Sequence, residues 1–254
     1  MNKQFFALAF VAATTLAACS KDEATPTPTP TPDPKPTAST TATPTYGSGD
    51  GAVVALLTRT TTTSFGMDVD MDLGTGVAVF GNLATGAYTD AGKITLNGTE
   101  LAKQTNNSYL YIPGISNPTG IDLSGDIKWV VTTPSFTYNA AAAAGGKGMP
   151  KAGKIDGSYT SVDIAKDFTL AVSGTITKSD SVYFQINGAS KSILKRMAAG
   201  TTSVTFTASE LSGLGKTAGG SVTIAPWNHE EQMLAGKKIH VINELALSRT
   251  VEIK

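Results

Sequence analysis

Apolar and polar residues alternate in short runs through most of the chain from residue 48 onward. The runs are rich in β-branched residues and are separated by Gly, Asn, Asp and Pro, which is typical of strands joined by turns. Dipeptides such as Asn97-Gly98 and Asn187-Gly188 favour tight turns between strands. The pattern predicts strands over 53–63, 76–81, 93–96, 108–112, 126–132, 168–174, 181–186, 203–207, 220–225, 237–243 and 245–253.

One short helix is predicted in the second half of the chain. Glu210 follows Thr207 by three residues, a spacing that fits a capping box, in which each side chain binds the backbone N–H of the other residue. Glycines from Gly213 onward favour an end to the helix after about one turn.

The composition changes between residues 139 and 157, where a run of alanines is followed by Gly145-Gly146. We interpret this stretch as a linker and place a domain boundary between residues 133 and 157. The expected fold is all-β, with two tandem β-sandwich domains over 48–145 and 146–254; one large sandwich is the alternative. The second half, in which 237–241 and 248–253 are predicted to form a hairpin, resembles immunoglobulin-like domains of bacterial surfaces.

The first residues of the chain have the layout of a secretory signal. Lys3 makes the N-terminal region positively charged, an apolar run covers 5–13, and small residues precede Cys19. The run is shorter than the roughly 20 residues that a spanning helix needs. No later run reaches that length, so we expect no transmembrane segment.

The only cysteine of the chain follows these small residues in the string LAAC, which resembles the lipobox of bacterial lipoproteins. The resemblance implies a signal peptide over 1–18, cleavage before Cys19 and lipid on its sulfur. The next four residues resemble the surface-export signal of Bacteroidota lipoproteins, which implies an anchor and export segment over 19–24 and the outer face of the outer membrane: Ser20, Lys21, Asp22 and Glu23.

Residues 25–47 are expected to form a disordered Pro/Thr-rich linker. Seven of the 12 prolines lie here, and proline fixes φ and lacks the N–H that a helix or an inner strand needs. At about 3.1 Å per residue in an extended form, roughly 21 residues would hold the rest of the chain about 65 Å from the membrane.

The charge balance excludes one class of partner. The whole chain has 20 basic and 20 acidic residues, and removal of 1–18 takes away Lys3, which leaves 19 against 20. A nucleic-acid partner needs a basic patch or stripe, so we expect none.

Two groups of residues are weak metal candidates. Asp68, Asp70 and Asp72 alternate, so a strand would place three carboxylates on one face, where Ca²⁺ could bind. The EF-hand pattern fails, because its glycine and glutamate positions hold Leu73 and Val79. The simpler interpretation is a solvated acidic face with an apolar underside.

The second group contains the only two histidines: His229, Glu230 and His240, with Glu231 as the other possible carboxylate. Zinc accepts this combination of ligands. The zinc-protease motif is incomplete, because Met233 occupies the position of its second histidine. A polar loop and a strand histidine are the simpler interpretation.

Both tryptophans are predicted to be structural residues rather than stacking platforms for sugars. Trp129 lies in an apolar strand and is predicted to belong to the core, and Trp227 at a strand end is predicted to be structural. No G-x-S-x-G sequence occurs, and Cys19 is expected to carry lipid, so we predict no catalytic residues, no enzyme activity and no cofactor.

These expectations describe a lipoprotein held in the outer membrane by lipid on Cys19 and facing the extracellular side. Its head is expected to be a non-catalytic binding or adhesion module for a glycan or a protein. A structural or assembly subunit of an envelope complex is the alternative, and a metal-dependent hydrolase is a further one.

Overall fold

A computed structural model describes residues 48–64, 67–132, 137–139, 147–157, 159–234 and 236–254. The signal peptide, Cys19, the export signal and the linker predicted over 1–47 lie outside the described residues. No helix within the described residues has the length and apolar character needed to cross a membrane.

The chain is all-β, as predicted. The strands are β1 (Gly51–Ser64), β2 (Met67–Asn82), β3 (Ala87–Tyr88), β4 (Lys93–Leu96), β5 (Thr99–Glu100), β6 (Ala102–Lys103), β7 (Tyr109–Tyr111), β8 (Trp129–Thr132), β9 (Thr137–Asn139), β10 (Ser161–Val162), β11 (Phe168–Ala171), β12 (Ser181–Asn187), β13 (Ser192–Ala198), β14 (Ser203–Phe206), β15 (Thr217–Leu234) and β16 (Lys237–Ile253). The predicted one-turn helix is confirmed as α1 (Ala208–Leu211), with Thr207 and Glu210 forming the capping box.

Four long strands form the centre of the largest sheet, whose order is β13-β12-β15-β16-β1-β2-β7-β6. β1 and β2 form one antiparallel hairpin, and β15 and β16 form another. The hairpins join through a parallel ladder between β1 and β16, which runs from the pair Gly51 and Ile239 to the pair Thr61 and Arg249. This sheet therefore contains strands from both sides of the predicted domain boundary, and the number of domains stays a prediction.

One face of the large sheet packs against two hydrophobic clusters. The N-terminal cluster joins Val53 and Val241 of this sheet to Ile94 and Trp129 of the small sheet β5-β4-β8-β9. The C-terminal cluster joins Phe184 and neighbouring strands to β11, β14 and α1. Sheet therefore packs on sheet in both halves, and Trp129, which is fully buried, is a core residue as predicted. We call this side of the large sheet the covered face.

The opposite side, which we call the reverse face, carries a smaller cluster of Val54, Trp227 and Ile242, with Val77 and Tyr183 against it. Residues alternate between the two faces along each long strand. On β16, for example, Val241 belongs to the covered face and Ile242 to the reverse face.

Two predictions about the C-terminal region were wrong. Residues 237–241 and 248–253 do not pair with each other, because both lie on the single strand β16, whose hairpin partner is β15. Residues 227–233 are not a polar loop, because β15 continues to Leu234. The sequence suggested a strand end at Pro226, because proline lacks an N–H for the ladder. In the structure the pairing of β15 with β16 is interrupted only between Ile224 and Trp227, and the strand continues beyond.

Candidate functional site

The two histidines of the chain meet on the reverse face, near the turn of the β15–β16 hairpin. His229 and Glu231 are two residues apart on β15, so strand alternation places both side chains on one face. His240 lies directly opposite Glu231 on β16, and His229 pairs with the next reverse-face residue, Ile242. The hairpin register therefore brings residues 11 positions apart into contact.

Two imidazole nitrogens and a carboxylate oxygen converge at this point. His229 Nε2 lies 2.8 Å from His240 Nδ1, and the rings stack with centroids 5.0 Å apart. Glu231 Oε1 lies 3.7 Å from His240 Nδ1. The three donor atoms all lie within 4.8 Å of one another, which is close enough for one metal ion. We call His229, Glu231 and His240 the histidine cluster.

The surroundings hold these groups in different ways. His240 is fully buried, His229 is half-buried and Glu231 is exposed. Burial lowers the pKa of His229, and the positive charge of a protonated His240 would lower it further. A hydrogen bond from Lys238 lowers the pKa of Glu231. At neutral pH the cluster therefore offers His229 as a neutral ring and Glu231 as a carboxylate.

The structure brings together two of the three residues of this candidate group. His229 and His240 are together, but Glu230 points to the other side of β15, since it pairs with the covered-face residue Val241. The carboxylate at the cluster is Glu231. Strand alternation from His229 would have selected Glu231 over Glu230, had residues 227–233 been assigned to a strand.

An aromatic row extends from the histidine cluster across the reverse face. Trp227 stacks against Tyr183 with ring centroids 5.9 Å apart, and its ring lies 6.4 Å from His229. The guanidinium carbon of Arg196 lies 5.3 Å from the Trp227 ring centroid, a cation–π contact. Trp227 is only 6% exposed, which confirms the structural role predicted for it.

The three aspartates of β2 lie on the covered face and are bound by cations. Two oxygens of Asp72 accept hydrogen bonds from Arg59 at 2.7 and 2.8 Å. Asp70 pairs with Lys154 at 2.8 Å, and Asp68 pairs with Arg249 at 2.6 Å. These carboxylates are occupied by ion pairs in a layer of polar groups beside the hydrophobic clusters.

The intervening residues of β2 are exposed rather than covered. Met67, Val69 and Met71 are 66%, 51% and 52% exposed and alternate along the reverse face. We call these three residues the apolar stripe. The aspartates do form a solvated face, because Asp68 and Asp70 are exposed, although each aspartate is paired with a cation. The apolar residues between them are exposed as well, so the expected apolar underside is not buried.

The outer half of β2 also has an unpaired edge. β1 pairs with β2 along its whole length, but on the other side the ladder to β7 begins only at Gly76. Within the described residues, Met67–Leu73 have no second strand beside them. A cavity of about 470 Å³ adjoins this edge, lined by Met71 and Asp72 of β2 and by residues 119–124.

Comparison of the chain with models of protein families, with curated proteins and with solved structures gave no match.

Proposed function

We propose that the chain is an outer-membrane lipoprotein, facing the extracellular side, whose β-rich head is a non-catalytic binding module for a protein ligand. Lipid on Cys19 would hold it, residues 20–23 would direct it outward, and the 25–47 linker would carry the head away from the membrane. The resemblance of LAAC to a lipobox supports the anchor.

The apolar stripe is the observation that carries the binding proposal. Contiguous apolar side chains on a protein surface are typical of interaction sites. Here they stand on a strand whose outer edge, within the described residues, lacks a neighbour, so its backbone N–H and C=O groups can pair with an added strand. The ligand that fits is an extended protein segment with apolar side chains at alternate positions.

The same edge favours an assembly role as the second candidate. A strand edge that accepts a ligand strand also accepts a strand of an envelope subunit or of another copy. The two roles differ in what pairs with β2: an extracellular ligand for a binding module, and a permanent neighbour for an assembly subunit.

The ligand test compares cells that carry the wild-type protein with cells that carry M67T/V69T/M71T. Threonine retains the strand preference and removes most of the apolar surface. Matrix-protein and glycan arrays probe both cell types, and we expect a protein hit that the triple variant loses while its surface level is unchanged. A glycan hit that survives the triple substitution, or no hit at all, would contradict the proposal. Constitutive recovery with an envelope protein would support the assembly role.

The location is tested separately. We expect a fatty-acid label to enter the wild-type protein and not C19A, and protease added to intact cells to cleave the head. Protection of the head until the outer membrane is opened would place it on the inner side and remove the extracellular part of the proposal.

A further inference from the structure

We propose that the histidine cluster binds one divalent transition-metal ion, with Cu²⁺ held most tightly, through His229 Nε2, His240 Nδ1 and a carboxylate oxygen of Glu231. This goes beyond the binding module proposed above and depends neither on the lipid anchor nor on a protein ligand.

The donor set fits this class of ion. Imidazole suits copper, nickel and zinc, and a carboxylate completes an N₂O set that hard ions such as Ca²⁺ do not favour. Three protein ligands leave coordination positions for water, and the exposed Glu231 lies where solvent can supply it. His229 and Glu231 sit on one strand and His240 on its hairpin partner, so all three ligands are placed by one rigid ladder.

The general order of affinities selects among these ions. For a given set of nitrogen and oxygen ligands, affinity rises from Ni²⁺ to Cu²⁺ and falls again at Zn²⁺, so Cu²⁺ should be held most tightly. The nitrogens of His229 and His240 lie 2.8 Å apart, a hydrogen-bond distance, so both already face one position. With an ion bound there, each ring would carry its proton on its other nitrogen.

The residues around His240 keep its Nδ1 directed at His229 and Glu231. Gly49 lies against the other edge of the ring: a Cβ added there would stand 2.6 Å from Nε2, too close for any other residue without movement. The backbone N–H of His229 donates to Asp180 Oδ2 at 2.8 Å, which fixes that part of β15. Both imidazoles are therefore positioned before an ion arrives, which lowers the entropic cost of binding.

The nearby cations are weak competitors. Lys238 binds Glu231 at 2.9 Å, but Glu231 is 46% exposed and a pair of this kind contributes at most about 1 kcal/mol. Lys147, whose Nζ lies 3.4 Å from the carbonyl oxygen of His229, is neutralised by Asp180 at 2.9 Å. A divalent ion can therefore displace Lys238 from Glu231, and Lys147 repels it only weakly.

The test uses the untagged protein as purified from its cells in detergent, stripped with a chelator and titrated separately with CuCl₂, NiCl₂ and ZnCl₂. We expect one equivalent of Cu²⁺ to bind, more tightly than Ni²⁺ or Zn²⁺. The electron paramagnetic resonance spectrum should be tetragonal with coupling to two nitrogens. H229Q should weaken Cu²⁺ binding at least 100-fold, and E231Q about 10-fold.

Glu230 supplies the matched control, because E230Q changes the neighbouring carboxylate on the opposite face. E230Q should leave the affinity for Cu²⁺ unchanged. His240 is buried, so H240Q is informative only if its thermal unfolding resembles that of the wild type; H229Q and E231Q, at less buried positions, decide the matter otherwise. Absence of a one-equivalent site, tighter binding of Zn²⁺ than of Cu²⁺, or equal losses in E230Q and E231Q would overturn the proposal.

Discussion

The hairpins β1–β2 and β15–β16 both place charged or titratable side chains at alternate strand positions, with opposite results. On β2, each of the three aspartates meets a cation: Asp72 meets Arg59, Asp70 meets Lys154 and Asp68 meets Arg249. On β15 and β16, two imidazoles and a carboxylate lie against one another, and the carboxylate of Glu231 also meets a cation, Lys238. The first arrangement is a set of ion pairs, and the second brings together the side-chain types that ligate transition metals.

The difference comes from the residues that surround each pair of strands. Alternation decides which face a side chain occupies, and its neighbours on that face decide what it meets: Arg59 is cross-strand to Asp72, whereas Lys154 and Arg249 reach Asp70 and Asp68 from elsewhere. Arg59 lies directly opposite Asp72, whereas His240 lies directly opposite Glu231. A row of carboxylates in a sequence is therefore insufficient to define a metal site.

The largest loss of stability is expected at Asp68, the aspartate of β2 whose cation partner is buried. The side chain of Arg249 is only 5% exposed, and D68N would remove its carboxylate partner at 2.6 Å. A buried charge that loses its partner destabilises a fold by about 3 kcal/mol. We expect urea unfolding to show a loss of that order for D68N and almost none for D126N, at an exposed position. Removal of the cation as well, in D68N/R249M, should restore at least half of the loss; if it does not, the pair is not the cause.

The sequence was sufficient to predict the fold class and those elements that a few neighbouring residues determine. Asn97-Gly98 connects β4 and β5 with both residues at positive φ, as a two-residue hairpin turn requires. The capping box at Thr207 was likewise readable from two residues. Strand β13 was missed, because it pairs with β12 alone and its partly exposed residues lack clear alternation.

The candidate site was less predictable, because it depends on register. His229 and His240 meet only because β15 and β16 pair with Leu234 opposite Lys237. One residue of slip would move every side chain of a strand to the other face. The parallel ladder between β1 and β16 joins residues about 190 positions apart, and no short-range sequence pattern predicts such a contact.

A carboxylate with no ion pair among the described residues should behave differently from those of β2. Burial raises the pKa of Glu244, on the reverse face of β16, to about 7 from an ordinary 4.5. The folded protein then holds a proton that the unfolded chain releases, so the free energy of unfolding should fall as the pH rises from about 4.5 to 7. The full shift corresponds to about 3 kcal/mol, which we reduce to about 2 because Glu244 is half-buried.

The measurement is urea unfolding of wild type and E244Q across this pH range. The amide does not titrate, so E244Q should lack the wild-type decline and should be the more stable protein at pH 8. Parallel curves for the two proteins would show that Glu244 is not the group responsible.

A smaller effect is expected for the exposed pair of β2. Hydrogen bonds from Lys154 and Thr61 lower the pKa of Asp70. The stabilisation is therefore present above the ordinary pKa of 3.8 and is lost as the pH falls through the lower folded-state value. Lys154 is 54% exposed, so D70N should cost less than about 1 kcal/mol at pH 7, and added salt should reduce that cost. A loss as large as that of D68N would contradict the distinction between exposed and buried pairs.

The smallest effect concerns the cation that touches the histidine cluster. K238Q would remove the ammonium 2.9 Å from Glu231 and leave that carboxylate available to an ion. Stability should change by less than about 0.5 kcal/mol, because the pair is partly exposed, whereas Cu²⁺ affinity should rise about twofold, as expected when a pair of that strength no longer competes. Lys237 is the matched control: it is more exposed and lies 3.9 Å from Asp50 rather than beside the cluster, so K237Q should leave the affinity unchanged. If K238Q has no effect although E231Q weakens binding, Lys238 does not compete for the ligand oxygen. If K238Q raises the affinity, Lys238 competes with the ion for the carboxylate of Glu231.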